Sequence, residues 1–513
     1  MFFYLAALAA FAPSAPAKVQ AAAPAAVVPA ETAMAAANEA WKLGNYAKAV
    51  ALARPLAEAG NGEALHLLAE AHEFGVGAAA DPAEAARLYR RSADAGHVPA
   101  LASLGLLYEM GKGVGKDLDK ANALYREGTA KGDVTARYYL ANNHFLGTGM
   151  PRNLEEGVRL ARPIAEGGHS SAMHLMGVAY DNGEGIARDP DQALSWFRRC
   201  ADLGEGQCLR SMGIMYENGR GVPVDLATAL SWYKKAAAKE VEAAYVDVGM
   251  AHHFGYGTKV DHQEAMRWYR KAADQGLPAG YAGMAELHRW GLGTAKDPAE
   301  AFRLYEKAAA GDHLPVVAAM AAMLQDGEGI AADPKRAFAL WRRSAEAGDP
   351  VGMLGLGDAY RLGAGVPKDW AKALDWMSRA ADSGSSNAMV QIGYSYETGE
   401  GPPQDLVQAL QWYSRAADRD DPNGITNLAL LYRGGKGVAV DEAEAFRLFE
   451  RASALDDARG RMFLGLAYVN GAGVAKDEKR GFALVRKVAD TGEAEAIGAL
   501  GLLYEAGAGI RKD

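Results

Sequence analysis

Apolar residues recur at spacings of three and four along most of this chain, and that periodicity indicates amphipathic helices. One such stripe, in residues 226–237, consists of Ala229, Leu230, Trp232, Tyr233, Ala236 and Ala237. Each stripe is long enough for a helix of about 14 residues, which is an ordinary length in globular proteins. The pattern therefore predicts an all-α protein built from many short helices.

A Gly-x-Gly pair follows one amphipathic segment at a constant interval. The first glycines stand at positions 75, 111, 147, 183, 219, 255, 291, 327, 363, 399, 435, 471 and 507, so every interval is 36 residues. Six residues after each of them stands an Asp, with Asn153 as the single exception. Thirteen copies without a slip predict a tandem array of helix pairs.

The acidic residue, the prolines and the glycines each suit one end of a helix. Asp or Asn accepts the free N–H groups at a helix start, and a proline directly after it, as in Asp189–Pro190, loses no helical hydrogen bond. A glycine such as Gly96 permits the left-handed backbone that ends a helix. Gly219 and Gly221 are turn residues in the same pattern, because a phosphate-binding glycine loop would follow a strand and each copy here follows a helix.

The helix before each Gly-x-Gly carries a small-x-x-x-Leu-Gly/Ala-x-x-Tyr pattern, as in Ala100, Leu104, Gly105 and Tyr108. Small residues let two helices approach closely, and the aromatic ring fills the space beside them. These motifs resemble the Sel1-like repeats, relatives of the tetratricopeptide repeats, over residues 61–513. The resemblance implies a right-handed α/α superhelical solenoid whose first helices line the concave side.

The two ends of the array differ from its middle. Residues 33–60 resemble a tetratricopeptide unit through Trp41, Gly44, Tyr46 and Ala49, and we expect this unit to cap the N-terminal end. The last repeat is incomplete, because the sequence stops at Asp513, where the next helix would begin. This ending points to a truncated reading frame with an exposed last helix.

The N-terminal segment is predicted to direct export. Residues 2–12 are an uncharged apolar run followed by small residues, so residues 1–17 are predicted to be a signal peptide and residues 18–32, rich in Ala, Val and Pro, a linker. The run is too short to cross a bilayer, and no other long apolar run predicts a membrane span in the mature chain. We expect a bacterial periplasmic or secreted protein; the absence of Lys or Arg before the run leaves a cytoplasmic location as the alternative.

The charge balance argues against one class of partner. The chain has 55 Lys and Arg against 64 Asp and Glu, a formal net charge of -9, and no basic run. Nucleic-acid binding depends on clustered cations that neutralise phosphates. No nucleic-acid partner is therefore expected.

Two sets of residues resemble chemical sites without forming them. Ser231 and Lys234 match the Ser-x-x-Lys pattern of penicillin-recognising serine enzymes, yet they occupy a repeated helix position and no Lys-Thr-Gly or Lys-Ser-Gly tripeptide accompanies them. Four histidines replace the tyrosine of the repeat and are predicted to pack as aromatic substitutes: His72, His144, His252 and His288. The sequence therefore predicts no catalytic residue, no metal and no cofactor.

The two cysteines lie near the end of one second helix and the start of the next first helix. The spacing of Cys200 and Cys208 resembles the Cys-x7-Cys clamps of cysteine-rich members of the family, and this resemblance implies a disulfide. Two small buried thiols are the alternative, since Cys200 stands where other repeats often have Ala. A disulfide would agree with an oxidising compartment.

A solenoid offers a long surface for a protein or peptide, so the leading hypothesis is a non-enzymatic interaction scaffold that binds on its concave face. By analogy with tetratricopeptide grooves, the predicted contact residues are Asn142, Asp181, Glu217, Asn218, Glu286, Arg289, Trp290, Asp358, Arg361, Tyr394 and Glu397. One alternative is a protein that binds or hydrolyses β-lactams or cell-wall peptides, which the cysteine-rich relatives imply. The other is a cytoplasmic adaptor in a signalling or degradation complex.

Overall fold

The computed structural model describes residues 29–509, and these residues form 27 α-helices without a strand. In chain order the helices are α1 Ala30–Lys42, α2 Tyr46–Glu58, α3 Gly62–Phe74, α4 Pro82–Asp94, α5 Pro99–Met110, α6 Leu118–Ala130, α7 Val134–Leu146, α8 Leu154–Glu166, α9 Ser170–Asn182, α10 Pro190–Asp202, α11 Gly206–Asn218, α12 Leu226–Ala238, α13 Glu242–Phe254, α14 His262–Asp274, α15 Pro278–Trp290, α16 Pro298–Ala310, α17 Pro315–Asp326, α18 Pro334–Glu346, α19 Pro350–Leu362, α20 Trp370–Asp382, α21 Ser386–Thr398, α22 Leu406–Ala417, α23 Pro422–Gly434, α24 Glu442–Ala454, α25 Ala458–Asn470, α26 Glu478–Ala489 and α27 Ala494–Ala506. The all-α prediction is confirmed.

The described chain divides into two compact units. The first contains residues 29–215 and 219–223, and the second contains residues 216–218 and 224–509. Each unit is an α/α solenoid of helix pairs, in which an odd-numbered first helix is followed by an even-numbered second helix. First helices of consecutive repeats also contact one another, as α5 and α7 do in the first unit and α21 and α23 in the second. We call the exposed surface of these first helices the inner face of each unit.

Every predicted capping residue within the described chain begins a second helix. Asp81, for example, accepts hydrogen bonds from the backbone N–H groups of Ala83 and Glu84, and Asn153 caps α8 in the same way. The backbone N–H of each capping residue also donates to the carbonyl nine residues earlier, as Asp117 does to Tyr108. These two bonds fix both ends of the loop, so the loop repeats its conformation from one repeat to the next.

The two glycines of each Gly-x-Gly have different structural roles. The first ends a first helix in the left-handed conformation, as Gly219 does with φ 66°. The second lies against the first residue of the second helix in the preceding repeat, so that a Cβ built on Gly257 would stand 2.1 Å from the Leu226 carbonyl oxygen. The second glycine of all thirteen copies lies against the equivalent residue, although at Gly401 the contact is with the side-chain ring of Trp370. Neighbouring repeats therefore meet so closely at this glycine that no room is left for a side chain.

Small residues on the first helices receive aromatic rings from the second helices, as the sequence predicts. A Cβ on Gly105 would lie 2.5 Å from the ring of Tyr125, and one on Gly393 would lie 2.7 Å from the ring of Tyr413. Five tyrosines at the equivalent second-helix position are almost completely buried: Tyr89, Tyr125, Tyr269, Tyr305 and Tyr413. Burial raises the pKa of each of these phenols, so they remain neutral hydrogen-bond donors in the core.

The ends of the described chain bear on several predictions. The rings of Trp41 and Tyr46 meet edge to face at 5.0 Å between α1 and α2. Helix α1 begins at Ala30, so residues 30–32 of the predicted linker are helical. The predicted signal peptide and Asp513 lie outside the described residues.

None of the described helices combines the length and the apolar character that crossing a bilayer requires.

Candidate functional site

The residues predicted to contact a partner occupy three positions near the C-terminal end of the first helices. Two residues before the tyrosine of the repeat stand Asn142, Glu286, Asp358 and Tyr394; directly after it stand Asp181, Glu217, Arg289, Arg361 and Glu397; one residue further stand Asn218 and Trp290. Asn142 and Asp181 belong to the first unit and the others to the second. The structure therefore distributes these residues along both solenoids and does not gather them into one pocket.

In five repeats the residue directly after the tyrosine forms an ion pair with the middle residue of the Gly-x-Gly in the following repeat, 39 residues later. In the first unit, the Lys112 Nζ lies 3.4 Å from the Glu73 Oε1, and the Arg220 Nη1 lies 2.6 Å from the Asp181 Oδ2. In the second unit the three pairs are Arg289–Glu328 at 2.8 Å, Arg361–Glu400 at 3.6 Å and Lys436–Glu397 at 3.0 Å. We call this series the charge ladder.

Among these five pairs, the order of the acidic and the basic residue differs along the chain. The acidic partner comes first in Glu73–Lys112 and Glu397–Lys436, whereas the cation comes first in Arg289–Glu328. Opposite charges therefore meet in either order in these five pairs, which indicates that the pairs join adjacent repeats. Four of the predicted contact residues are thus engaged within the protein: Asp181, Arg289, Arg361 and Glu397.

A charge swap tests this assignment. Both guanidinium nitrogens of Arg289 that face Glu328 donate to one carboxylate oxygen, and the two side chains are only 13% and 23% exposed. We expect Arg289→Glu to lower the free energy of unfolding by about 2 kcal/mol, because it places two carboxylates together in a partly buried site. Adding Glu328→Arg should restore most of that loss in urea unfolding, since Glu397–Lys436 shows the opposite polarity at the same position. A double variant no more stable than Arg289→Glu would contradict the ladder.

The carboxylates on the first helices also accept hydrogen bonds from buried tyrosines. The Tyr233 hydroxyl donates to Glu217 at 2.6 Å, and the Tyr413 hydroxyl donates to Glu397 at 3.0 Å. Glu286 accepts from Tyr305 and from the Trp290 indole. Of the predicted contact residues, Asn218, Trp290 and Tyr394 are the exposed ones, with Trp290 and Tyr394 showing 54% and 52% of their surface.

The serine and histidine motifs lie where the repeat pattern placed them. Ser231 and Lys234 are exposed on α12, and the half-buried Trp232 between them lies under Lys235, whose Nζ is 3.9 Å from the ring. His72 and His252 both lie just before a Gly-x-Gly loop; the His72 Nδ1 is 3.0 Å from the Ala79 carbonyl oxygen, whereas the His252 ring is buried. Within the described chain, no group of three His, Cys, Asp or Glu residues has a metal-binding arrangement.

Cys200 and Cys208 form a disulfide between α10 and α11. Their Cα atoms are 5.8 Å apart, and both side chains are fully buried. The bond joins the second helix of one repeat to the first helix of the next, so it links two neighbouring repeats covalently.

Loss of this disulfide has a predictable cost. We expect the Cys200→Ala, Cys208→Ala double variant to unfold at a free energy about 2 to 3 kcal/mol lower than the oxidised protein, because a short closed loop no longer restricts the unfolded chain. Urea unfolding with and without a reducing agent measures this loss. If the reducing agent lowers the free energy of unfolding of the double variant as much as that of the wild type, the loss does not come from the Cys200–Cys208 disulfide.

A half-buried histidine in α9, His174, has no counterpart among the residues that the sequence singles out. The His174 ring lies 3.1 Å from the Ser211 hydroxyl and packs beside Phe197. Burial lowers the pKa of His174 from 6.5 to about 4. The imidazole is therefore neutral in the folded protein at neutral pH.

The lowered pKa of His174 predicts acid sensitivity of the first unit. Between pH 6.5 and pH 4 the unfolded chain binds this proton and the folded chain does not, so stability is complete above pH 6.5 and falls as the pH approaches 4. From pH 7 to pH 5 we expect a loss of about 2 kcal/mol that His174→Leu removes. Urea unfolding across this range gives the slope; equal slopes for the two proteins would refute the assignment.

Comparison with known proteins agrees with this geometry. The family model described as Sel1 repeat matches residues 62–97, 98–133, 134–169, 170–205, 206–241, 242–277, 278–313, 317–349, 350–385, 386–421, 422–457, 458–492 and 494–513. A search of curated proteins gave no match.

Several solved structures are similar to this chain. A protective antigen of uropathogenic Escherichia coli strains, which displays an SLR fold, has 27% identity and a TM-score of 0.60, covering 89% of this chain and 97% of its own. A Sel1 repeat protein from Oxalobacter formigenes has 26% identity and a TM-score of 0.47, covering 60% of this chain and 90% of its own. The Helicobacter pylori cysteine-rich protein B has 28% identity and a TM-score of 0.21, covering 25% and 92%. With thirteen matched repeats between residues 62 and 513, the chain belongs to the Sel1 repeat family.

Proposed function

We propose that this protein is a non-enzymatic scaffold that binds a protein or peptide on the inner face of its helix pairs. Sel1 repeat solenoids are typically protein–protein interaction scaffolds, and the first helices provide a continuous surface within each unit. The observation that carries the proposal is the exposure of Trp290 and Tyr394 on first helices whose charged neighbours are already paired. Aromatic side chains that remain more than half exposed beside paired charges are typical of binding surfaces.

The same proposal includes export from the cytoplasm. The Cys200–Cys208 disulfide favours an oxidising compartment, and the predicted signal peptide supplies a route to it. A periplasmic or secreted scaffold would then assemble or regulate other exported proteins.

Affinity capture from the native host tests the scaffold. The full chain should retain a reproducible companion after chemical crosslinking, identified by mass spectrometry. Trp290→Ala with Tyr394→Ala should lose that companion, whereas Leu455→Ala, at an exposed apolar residue beside the end of a second helix, should keep it. If the wild-type chain, the Trp290→Ala/Tyr394→Ala variant and Leu455→Ala all retain the companion protein equally, the binding surface does not include these two aromatic residues. If no companion protein is recovered at all, the scaffold proposal is contradicted.

A further inference from the structure

Two adjacent histidines near the end of α13 stand where other repeats have different residues. His252 replaces the tyrosine of the repeat, and His253 occupies the charge-ladder position directly after it. Both residues are buried, with exposed fractions of 8% and 9%. Histidine changes its charge close to neutral pH, so a buried histidine can make a helix pair respond to acid. We call these two residues, together with His262 at the start of α14, the histidine layer.

His253 accepts a hydrogen bond that a carboxylate accepts elsewhere in the chain. Its Nδ1 is 3.3 Å from the hydroxyl oxygen of Tyr269, the buried tyrosine of α14. At the equivalent positions the Tyr413 hydroxyl donates to Glu397 at 3.0 Å. A neutral imidazole can accept this bond, whereas a protonated imidazole has an N–H group on each nitrogen and can only donate. Protonation of His253 therefore leaves the buried Tyr269 hydroxyl without its acceptor, which is costly.

The surroundings of His253 favour its neutral form. The rings of His253 and His262 meet edge to face with 5.5 Å between their centres, so two protonated imidazoles would repel each other there. Burial lowers the pKa of His253, the charge of His262 lowers it further, and Glu286 on α15 opposes both effects. The following Gly-x-Gly loop supplies no acid, because its middle residue is Leu292.

His252 is also held in its neutral form. Neither of its ring nitrogens has a hydrogen-bond partner among the described residues. Burial lowers the pKa of His252, and the charge of Lys234 on α12 lowers it further, while Glu264 and Asp261 at the start of α14 act in the opposite direction. Protonation of either histidine therefore places a charge in the buried contact between α13 and α14.

A series of stacked rings connects His253 with the surface. The ring of His253 stacks on Phe254 with 4.2 Å between the ring centres, and Phe254 stacks on Tyr256 at 5.5 Å. Phe254 and Tyr256 are 52% and 41% exposed, at the end of α13 and in the loop that follows it. A displacement of His253 would therefore move a ring pair that other molecules can reach.

We infer that the histidine layer is an acid-sensitive switch that holds α13 against α14 at neutral pH and releases α13, with its exposed ring pair, when the layer is protonated. The inference goes beyond the proposed scaffold function, because it concerns the order of one helix pair whether or not a partner is bound. A released histidine binds its proton near pH 6.5, whereas the folded layer binds it only at lower pH. The layer is therefore fully stable above pH 6.5 and loses stability as the pH falls below that value.

Hydrogen exchange of the full chain, measured by mass spectrometry at pH 7 and pH 5, tests the inference. After correction for the intrinsic exchange rates, we expect α13 and α14 to open about tenfold more often at pH 5. Helices α21 and α22 should show no such increase, because Tyr413 donates to the carboxylate of Glu397 there. Their exchange serves as the internal control within the same molecule.

The double variant His252→Tyr/His253→Glu is the matched control, because the chain itself has a Tyr–Glu pair at residues 216–217 and 396–397. We expect α13 and α14 of this variant to open equally often at both pH values, with the helix content checked by circular dichroism. His253→Gln keeps a neutral acceptor for Tyr269 and should open less than the wild type at pH 5.

Hydrogen exchange at the C2 carbon of each imidazole gives the pKa values of the wild-type histidines without any substitution. We expect the pKa values of His252 and His253 to lie below 6.5. Values above 6.5, or the same increase in opening for the wild type and the double variant, would overturn the switch. Either result would leave the scaffold proposal as it stands.

Discussion

Gly257→Ala is expected to lower the free energy of unfolding of the second unit by about 3 to 5 kcal/mol. Gly257 has φ 68°, and an added Cβ would lie 2.1 Å from the Leu226 carbonyl oxygen and 2.5 Å from the Ala227 nitrogen. Both atoms belong to the start of the second helix in the preceding repeat, so backbone must move to admit the methyl group. Strained backbone and overpacking act together at this residue.

Gly276→Ala is the matched control for this prediction. Gly276 has φ 80° and ends a second helix, but nothing lies within 4 Å of a Cβ built on it. Its substitution carries the conformational cost alone, about 1 kcal/mol. Urea unfolding followed by circular dichroism gives both values. Equal losses for the two variants would mean that the contact with the preceding repeat contributes nothing.

Tyr125→Ala is expected to lower the free energy of unfolding of the first unit by about 3 to 5 kcal/mol. The Tyr125 ring is fully buried against Gly105, and its hydroxyl donates to Glu109 at 3.0 Å. Truncation leaves a cavity and deprives a partly buried carboxylate of one donor. Tyr504→Ala serves as the control, because this ring is 49% exposed and its loss should cost less than about 1 kcal/mol.

The following repeat suggests substitutions that should recover part of the stability lost in Tyr125→Ala. In the next repeat the position of Tyr125 is Ala161, and the position of Glu109 is Phe145, whose ring packs against α8 close to Gly157. The Tyr125 repeat has Ala121 where the next repeat has Gly157, so Glu109→Phe and Ala121→Gly are both added to Tyr125→Ala. This triple variant should recover about half of the lost stability, since a ring enters the space from the other helix. A triple variant less stable than Tyr125→Ala would show that the two positions do not share one volume.

Much of the fold could be predicted because local chemistry determines it. The capping acids, the proline after Asp189 and the first glycines act within a few residues of their own position, so their roles follow from the sequence alone. The 36-residue interval then places each helix relative to its neighbours. The second glycine could be recognised as a turn residue, whereas its contact with the preceding repeat became visible only in the structure.

The candidate site was less predictable because its residues depend on partners far along the chain. Asp181 and Arg289 carry ordinary surface charges in the sequence, and only the structure pairs them with Arg220 and Glu328. In the sequence, these ion pairs are visible only as opposite charges 39 residues apart. Aligning the repeats at their 36-residue period does not bring the two charged positions together. His174 gave no signal, because burial and not sequence spacing sets its pKa.

Deletion of one complete repeat tests most directly whether capping, glycine and ring contacts that recur every 36 residues hold the described helix pairs together. Removing residues 278–313 joins two equivalent positions and would let Gly329 take the place of Gly293 against His262. We predict the same helicity per residue as the wild type and a cooperative thermal transition by circular dichroism. A deletion of residues 278–307, which stops inside α16, should lose both properties. If the two deletions behave alike, the repeat contacts do not determine this fold.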